Sequence, residues 1–159
     1  MRTRSGLRRY TLRAAVTAVV LIAAGPPGAS GALSDGAPAC GTSGLRLSVS
    51  DQGTSGSAFI GIRAQARRRC AIVGSARLTI LQAGRPASID GNPITLRLNG
   101  LLLPHTSRLV AHAWWIGWCK SRKTLAVRVQ YRTLSVRTAA QYVPRCDSPT
   151  TRSRLVTAR

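Results

Sequence analysis

Apolar and polar residues alternate in short runs along most of the chain. Leu45, Leu47 and Val49 interleave with Arg46, Ser48 and Ser50, the period-two pattern of a strand with one buried face. A second strand is predicted from Ala58 to Ala64. Later runs repeat the theme at Ala76 to Leu81, Ile94 to Leu98, Leu109 to Trp118, Leu125 to Tyr131 and, more briefly, Leu134 to Val136. Turn residues separate them: Asp51-Gln52-Gly53-Thr54-Ser55-Gly56, Gln82-Ala83-Gly84-Arg85, Asp90-Gly91-Asn92-Pro93 and Lys120-Ser121-Arg122-Lys123. Beyond the N-terminal segment no stretch keeps the 3.6-residue period of an amphipathic helix. Short strands spaced by roughly 8 to 15 residues over about 100 residues predict an all-β fold, an immunoglobulin-like antiparallel β-sandwich, with a small β-barrel as the second choice.

The N-terminus breaks this pattern. Arg2, Arg4, Arg8, Arg9 and Arg13 precede an unbroken apolar run from Ala14 to Ala24, which Gly25, Pro26 and Pro27 end. A basic region, an apolar stretch of this length and small residues after it make a secretory signal, with cleavage expected between Ala29 and Leu33, after Ala32 by preference. At about 1.5 Å per residue the run is too short for a hydrocarbon core of roughly 30 Å, so no transmembrane anchor is expected after cleavage. The Arg8-Arg9 pair leaves twin-arginine and general secretory export as alternatives. The chain thus divides into a signal peptide (1–32), a linker (33–39), a domain (40–147) and a disordered basic tail (148–159).

Four cysteines, Cys40, Cys70, Cys119 and Cys146, follow the signal, and an even number in an exported chain reads as two disulfides. Three pairings are open. Cys40 with Cys70 and Cys119 with Cys146 is preferred, because each pair brackets neighbouring strands. Each bridge would close a loop of about 30 residues and stabilise by roughly 3 to 4 kcal/mol. A Cys70–Cys119 bridge would be the cross-sheet alternative of antibody-type domains. No CxxC spacing is present and the histidines are only His105 and His112, so a closed zinc site is not expected.

Charge narrows the partners. The chain has 24 Lys plus Arg against four Asp and no Glu, a net charge of +20. Removing the signal takes five of the 24 bases, leaving 19 against four acids, or +15. Such a surface attracts polyanions. Arg67, Arg68 and Arg69 form one cluster and Lys120, Arg122 and Lys123 another; guanidinium groups grip phosphate or carboxylate with paired hydrogen bonds. With Arg63 and Arg77 close in sequence, these clusters suggest a continuous basic face, although solvated loops beside disulfides explain them as well. All three tryptophans lie in Trp114-Trp115-Ile116-Gly117-Trp118-Cys119. Strand alternation puts Trp114, Ile116 and Trp118 on one face and Trp115 and Cys119 on the other. A buried core is the main reading, with Trp115 as the candidate for an exposed aromatic platform.

Catalytic chemistry finds little support. No G-x-S-x-G, phosphate-cradling glycine loop or HExxH occurs, and neither histidine has an evident nucleophile or orienting partner. Asp51 and Asp90 fall at predicted turns, where the carboxylate usually binds local backbone. No catalytic residue, cofactor or metal is expected.

Cys40 followed by Leu45-Arg46-Leu47, Cys70 with Gly74, the Gly84-Arg85 turn, Leu103-Pro104, Trp115-Ile116-Gly117-Trp118-Cys119 and Pro144-Arg145-Cys146 together resemble a secreted actinobacterial family, domain of unknown function 4232. The resemblance covers residues 40–147 and implies a disulfide-bearing β-sandwich, with no reaction or cofactor attached. The chain departs from it at His105, at Gly117 and at Arg67 to Arg69. The functional expectation is a non-catalytic secreted or envelope-associated domain that binds anionic envelope polymer, lipid headgroups or a protein partner. The alternative is a secreted enzyme of unrecognised type. Nucleic acid suits the charge but not export.

Overall fold

A computed structural model describes residues 36–146, 148 and 150–157. The expected signal segment lies outside the described residues. In chain order the strands are β1 (Leu45–Gly53), β2 (Ser57–Ala66), β3 (Cys70–Gln82), β4 (Arg85–Pro86), β5 (Ile94–Leu102), β6 (Arg108–Ile116), β7 (Leu125–Tyr131), β8 (Leu134–Ala139) and β9 (Arg154–Thr157). All pair antiparallel. One sheet runs β1-β2-β6-β9; in the other, β3 pairs with β7, which pairs with β8, while β4 and β5 share the opposite edge of β3.

This is the sandwich anticipated from the alternation. With β1, β2, β3, β5, β6, β7 and β8 taken as strands A, B, C, C′, E, F and G, the sheets read A-B-E and C′-C-F-G, the immunoglobulin order. β9 adds a C-terminal strand beside E. The strand ladders remain in two sheets, so the barrel does not form.

The core lies between the sheets. Ala58, Ile60 and Ile62 of β2 with Ala113 and Trp115 of β6 face Leu78 and Ile80 of β3, Leu96 and Leu98 of β5, and Val127 and Val129 of β7. Each wholly buried aliphatic side chain contributes about 1.5 to 3 kcal/mol. Between β4 and β5 the edge of β3 at Ile80 is closed by the Ala87 N–H, which donates to the Ile80 carbonyl at 2.9 Å, and by the Asn92 side chain. Its Oδ1 accepts from the Ile80 N–H at 2.9 Å, and its Nδ2 donates to the carbonyls of Ile80 at 2.9 Å and Ala87 at 2.8 Å. Asn92 does more than turn the chain: its amide stands in for a peptide unit.

Several expectations need correction. In place of a disordered basic tail, Arg154–Thr157 forms β9 against Ala113–Ile116. Leu155 is 3% exposed, the Asp90 N–H donates to the Ser153 carbonyl, and the Leu155 N–H donates to the Asp90 carbonyl. One inward leucine, a ladder to β6 on one side and a single bridge to Asp90 on the other outweigh the polar composition of this segment. The end of the expected linker is also part of the fold, since Pro38 accepts from the Ala71 N–H at 2.8 Å and Ala39 bridges Ala71. Asp51 is in β1 and not at a turn; its carboxylate accepts from the distant Tyr142 N–H at 2.7 Å.

Both disulfides adopt the preferred pairing, Cys40–Cys70 and Cys119–Cys146, and no described cysteine is free. The first ties the segment before β1 to the start of β3. The second ties the β6–β7 loop to the segment after β8. Because β2 and β6 are antiparallel, the two bridges close opposite ends of the sandwich. Such bridges persist in oxidising, extracytoplasmic compartments. Among the described residues no helix is long and apolar enough to cross a membrane.

Candidate functional site

The two predicted basic clusters do not meet. Arg67, Arg68 and Arg69 are exposed in the β2–β3 loop and line a shallow cleft of about 450 Å³ with Pro38 and Gly41, beside Cys70. Lys120, Arg122 and Lys123 are exposed in the β6–β7 loop, where Arg122 lines a different cleft of about 410 Å³ with Ser55, Tyr142 and Arg145. These loops leave opposite ends of the β2–β6 ladder. The ten residues of β2 span about 30 Å, several times the roughly 8 Å screening length at physiological salt, so the clusters act separately. Arg63 and Arg77 join neither: Arg63 is on the outer face of the first sheet, its Nε donating to Ser107 Oγ at 3.3 Å, and Arg77 is on the outer face of the second. The expected continuous basic face is absent because the strands that separate the runs in sequence also carry them apart in space.

Trp115 is not an aromatic platform. It is 0% exposed, its Nε1 donates to Ser153 Oγ at 3.0 Å, and its ring meets that of Trp118 edge-on at 5.6 Å. Trp118, expected on the face of Trp114, is buried with Trp115 instead. Gly117, at φ 62°, breaks the alternation just after β6 and turns the next side chain inward. A Cβ at Gly117 would come within 2.6 Å of Thr151 Cγ2, so the turn also seats the C-terminal segment. The half-exposed tryptophan is Trp114. On the outer face of the first sheet it lies edge-on to Phe59 at 5.3 Å, and Phe59 stacks on His112 at 5.0 Å.

The potential acid–base residues are scattered. His105 follows β5 and donates its backbone N–H to Ala66 at the end of β2, whereas His112 pairs with Gly61 in the middle of that strand. Asp51 is engaged by Tyr142, and Asp90, expected at a turn, is an exposed residue whose backbone bridges Arg154. Among the described residues no group of three His, Cys, Asp or Glu side chains stands close enough to hold a metal.

Register reveals what the linear sequence hides. On the outer face of the second sheet, Arg97 of β5 stands opposite Ser75, and Arg77 two residues further along β3 stands opposite Gln130. Two residues beyond, Thr79 faces Arg128 of β7, which faces Arg137 of β8. One arginine from each of four adjacent strands thus makes a diagonal: Arg97, Arg77, Arg128, Arg137. Diagonal neighbours on a sheet are about 7 to 8 Å apart and direct neighbours about 5 Å. The other outward positions on these strands are Thr95, Asn99, Leu101, Ala71, Val73, Ser75, Leu81, Gln130, Ser135, Ala126 and Ala139, with no acid among them. Arg128 and Arg137 are like charges directly opposite, an arrangement that opposes pairing. At the middle of the diagonal, Thr79 Oγ1 and Arg128 Nε are shut off from solvent without a hydrogen-bond partner. An unpaired buried polar atom costs about 1 to 3 kcal/mol. The signal available in sequence was one arginine at an outward position of each strand, but only register puts the four in line.

No protein-family model, curated protein or solved structure matches the chain.

Proposed function

We propose that this chain is an exported, non-catalytic β-sandwich, secreted or held at the cell envelope, that binds anionic envelope polymer. The observation that carries the reading is the outer face of the second sheet, where arginines cross four strands with no acid opposing them. A folded domain that sets Arg128 directly against Arg137 gains stability from an anion that neutralises both. The separation of His105, His112 and Asp51 supports a binding role over a catalytic one. The apolar segment Ala14–Ala24 supplies the export signal in this reading, and the two disulfides suit the destination. The likeness to domain of unknown function 4232 fits the same picture through the tryptophan–cysteine segment and the cysteine layout.

The test is retention of the oxidised domain on immobilised poly(glycerol phosphate) across a salt series. Affinity should fall steeply as salt rises, because counterion release dominates such contacts. Absence of retention at low salt contradicts the reading.

A further inference from the structure

We propose that Arg97, Arg77, Arg128 and Arg137 form one discrete site for an extended phosphodiester chain laid obliquely across β5, β3, β7 and β8. The inference rests on the anion-binding reading above and sharpens it to a place, a direction and a ligand shape. Four features carry it. The arginines come from four adjacent strands, so the sheet fixes the spacing of their Cα positions where a loop would not. Their backbone positions step by about 7 to 8 Å on the diagonal and about 5 Å on the direct pair, which suits a linear polymer with a charge at every repeat. Arg77, Arg97 and Arg137 are exposed and free to reach a ligand, while Arg128 is half-buried and anchors the line.

The fourth feature is the unpaired Nε of Arg128, a residue that stands opposite Thr79 in the strand register; Thr79 is 1% exposed and its Oγ1 also lacks a partner. Turning the Arg128 side chain toward a phosphate gives its Nε an acceptor. Binding then relieves a defect of the free domain as well as a repulsion. The loop clusters have no comparable frame. Arg67, Arg68 and Arg69 are successive exposed loop residues, as are Lys120, Arg122 and Lys123 with Ser121, and the two groups lie at opposite ends of the molecule.

The experiment compares two variants that lose the same charge, R77Q/R97Q/R128Q/R137Q and R67Q/R68Q/R69Q/K120Q, in binding to poly(glycerol phosphate) over a salt series. The first should lose at least about tenfold in affinity at low salt, and its slope of log affinity against log salt should fall by about 3, four contacts at roughly 0.7 each. The second should change affinity by less than about threefold. The double variant R97Q/R137Q, altered only at exposed positions, guards against misfolding and should lose about half that slope. Equal losses in the two quadruple variants would show that net charge alone acts and would overturn the site. A larger loss in the loop variant would overturn it too, and both results would leave polymer binding itself intact. No binding by the unmodified domain would instead defeat the underlying reading. Vesicles containing phosphatidylglycerol form the second arm: binding per phosphate as tight as to the polymer, with the same dependence on the four arginines, would assign the site to lipid headgroups and overturn the extended ligand.

Discussion

The two outer faces of the sandwich show opposite ways of filling a sheet surface. On β2 and β6, Phe59 stacks on His112, Trp114 meets Phe59 edge-on, and Phe59 and Leu109 close over Gly61. A Cβ on Gly61 would lie 3.0 Å from Leu109 Cδ1, so the small residue is what lets this cluster settle onto the sheet. These side chains partner one another. On β5, β3, β7 and β8 the arginines of the diagonal repel, and Arg128 Nε and Thr79 Oγ1 lack partners. The aromatic face completes itself within the fold; the arginine face leaves like charges opposed and two polar atoms without partners. A conspicuous aromatic segment therefore marks stability here, and in the proposed reading it is the scattered arginines that mark the binding surface.

Substitutions can break or sharpen that contrast. The largest effect is expected at Trp115, where replacement by Ala should cost about 3 to 5 kcal/mol in urea unfolding with the disulfides intact, because a wholly buried ring is removed. Ending the chain after Arg152 deletes β9, the Leu155 packing and the Ser153 bond to Trp115, and should cost roughly 2 to 4 kcal/mol in the same assay. A stability unchanged by the truncation would show that β9 is dispensable. Trp114→Ala removes a half-exposed ring and should cost only about 1 kcal/mol, leaving affinity for poly(glycerol phosphate) unaltered. The smallest effect has the opposite sign. Arg137→Gln should leave stability within about 0.5 kcal/mol of the parent, on the stabilising side at low salt, and should reduce the rise in melting temperature that added salt produces. A clear loss of stability would mean that Arg137 has a partner within the fold.

Much of the architecture was legible in the residues. Leu125–Tyr131 was delimited correctly because both ends of the strand coincide with polar turns. The disulfide pairing followed from cysteines that flank neighbouring strands. β3 proved longer than Ala76 to Leu81, since Val73 to Ser75 within its first half are exposed and include a glycine at φ 139°, which hides the alternation. β9 was invisible because four residues with one buried leucine make no periodic signal. The tryptophan segment misled through a single residue: alternation holds to Ile116, and Gly117 then reverses it. For the site the limit is deeper. Arg67 to Arg69 stand out in sequence but remain an isolated loop, whereas Arg77, Arg97, Arg128 and Arg137 each look like an ordinary outward residue. Which of them are neighbours depends on long-range register, and no local pattern encodes it.

The central claim, that the ligand lies across the arginine face and not on the aromatic face or the loops, is tested most directly by mapping amide chemical shifts as poly(glycerol phosphate) is titrated into the labelled, oxidised domain. The largest shifts should fall along the diagonal at Arg97, Arg77, Thr79, Arg128 and Arg137, with Phe59, His112 and Trp114 unmoved. Shifts concentrated at Arg67 to Arg69 or Lys120 to Lys123, or on the face of Phe59 and Trp114, would contradict it.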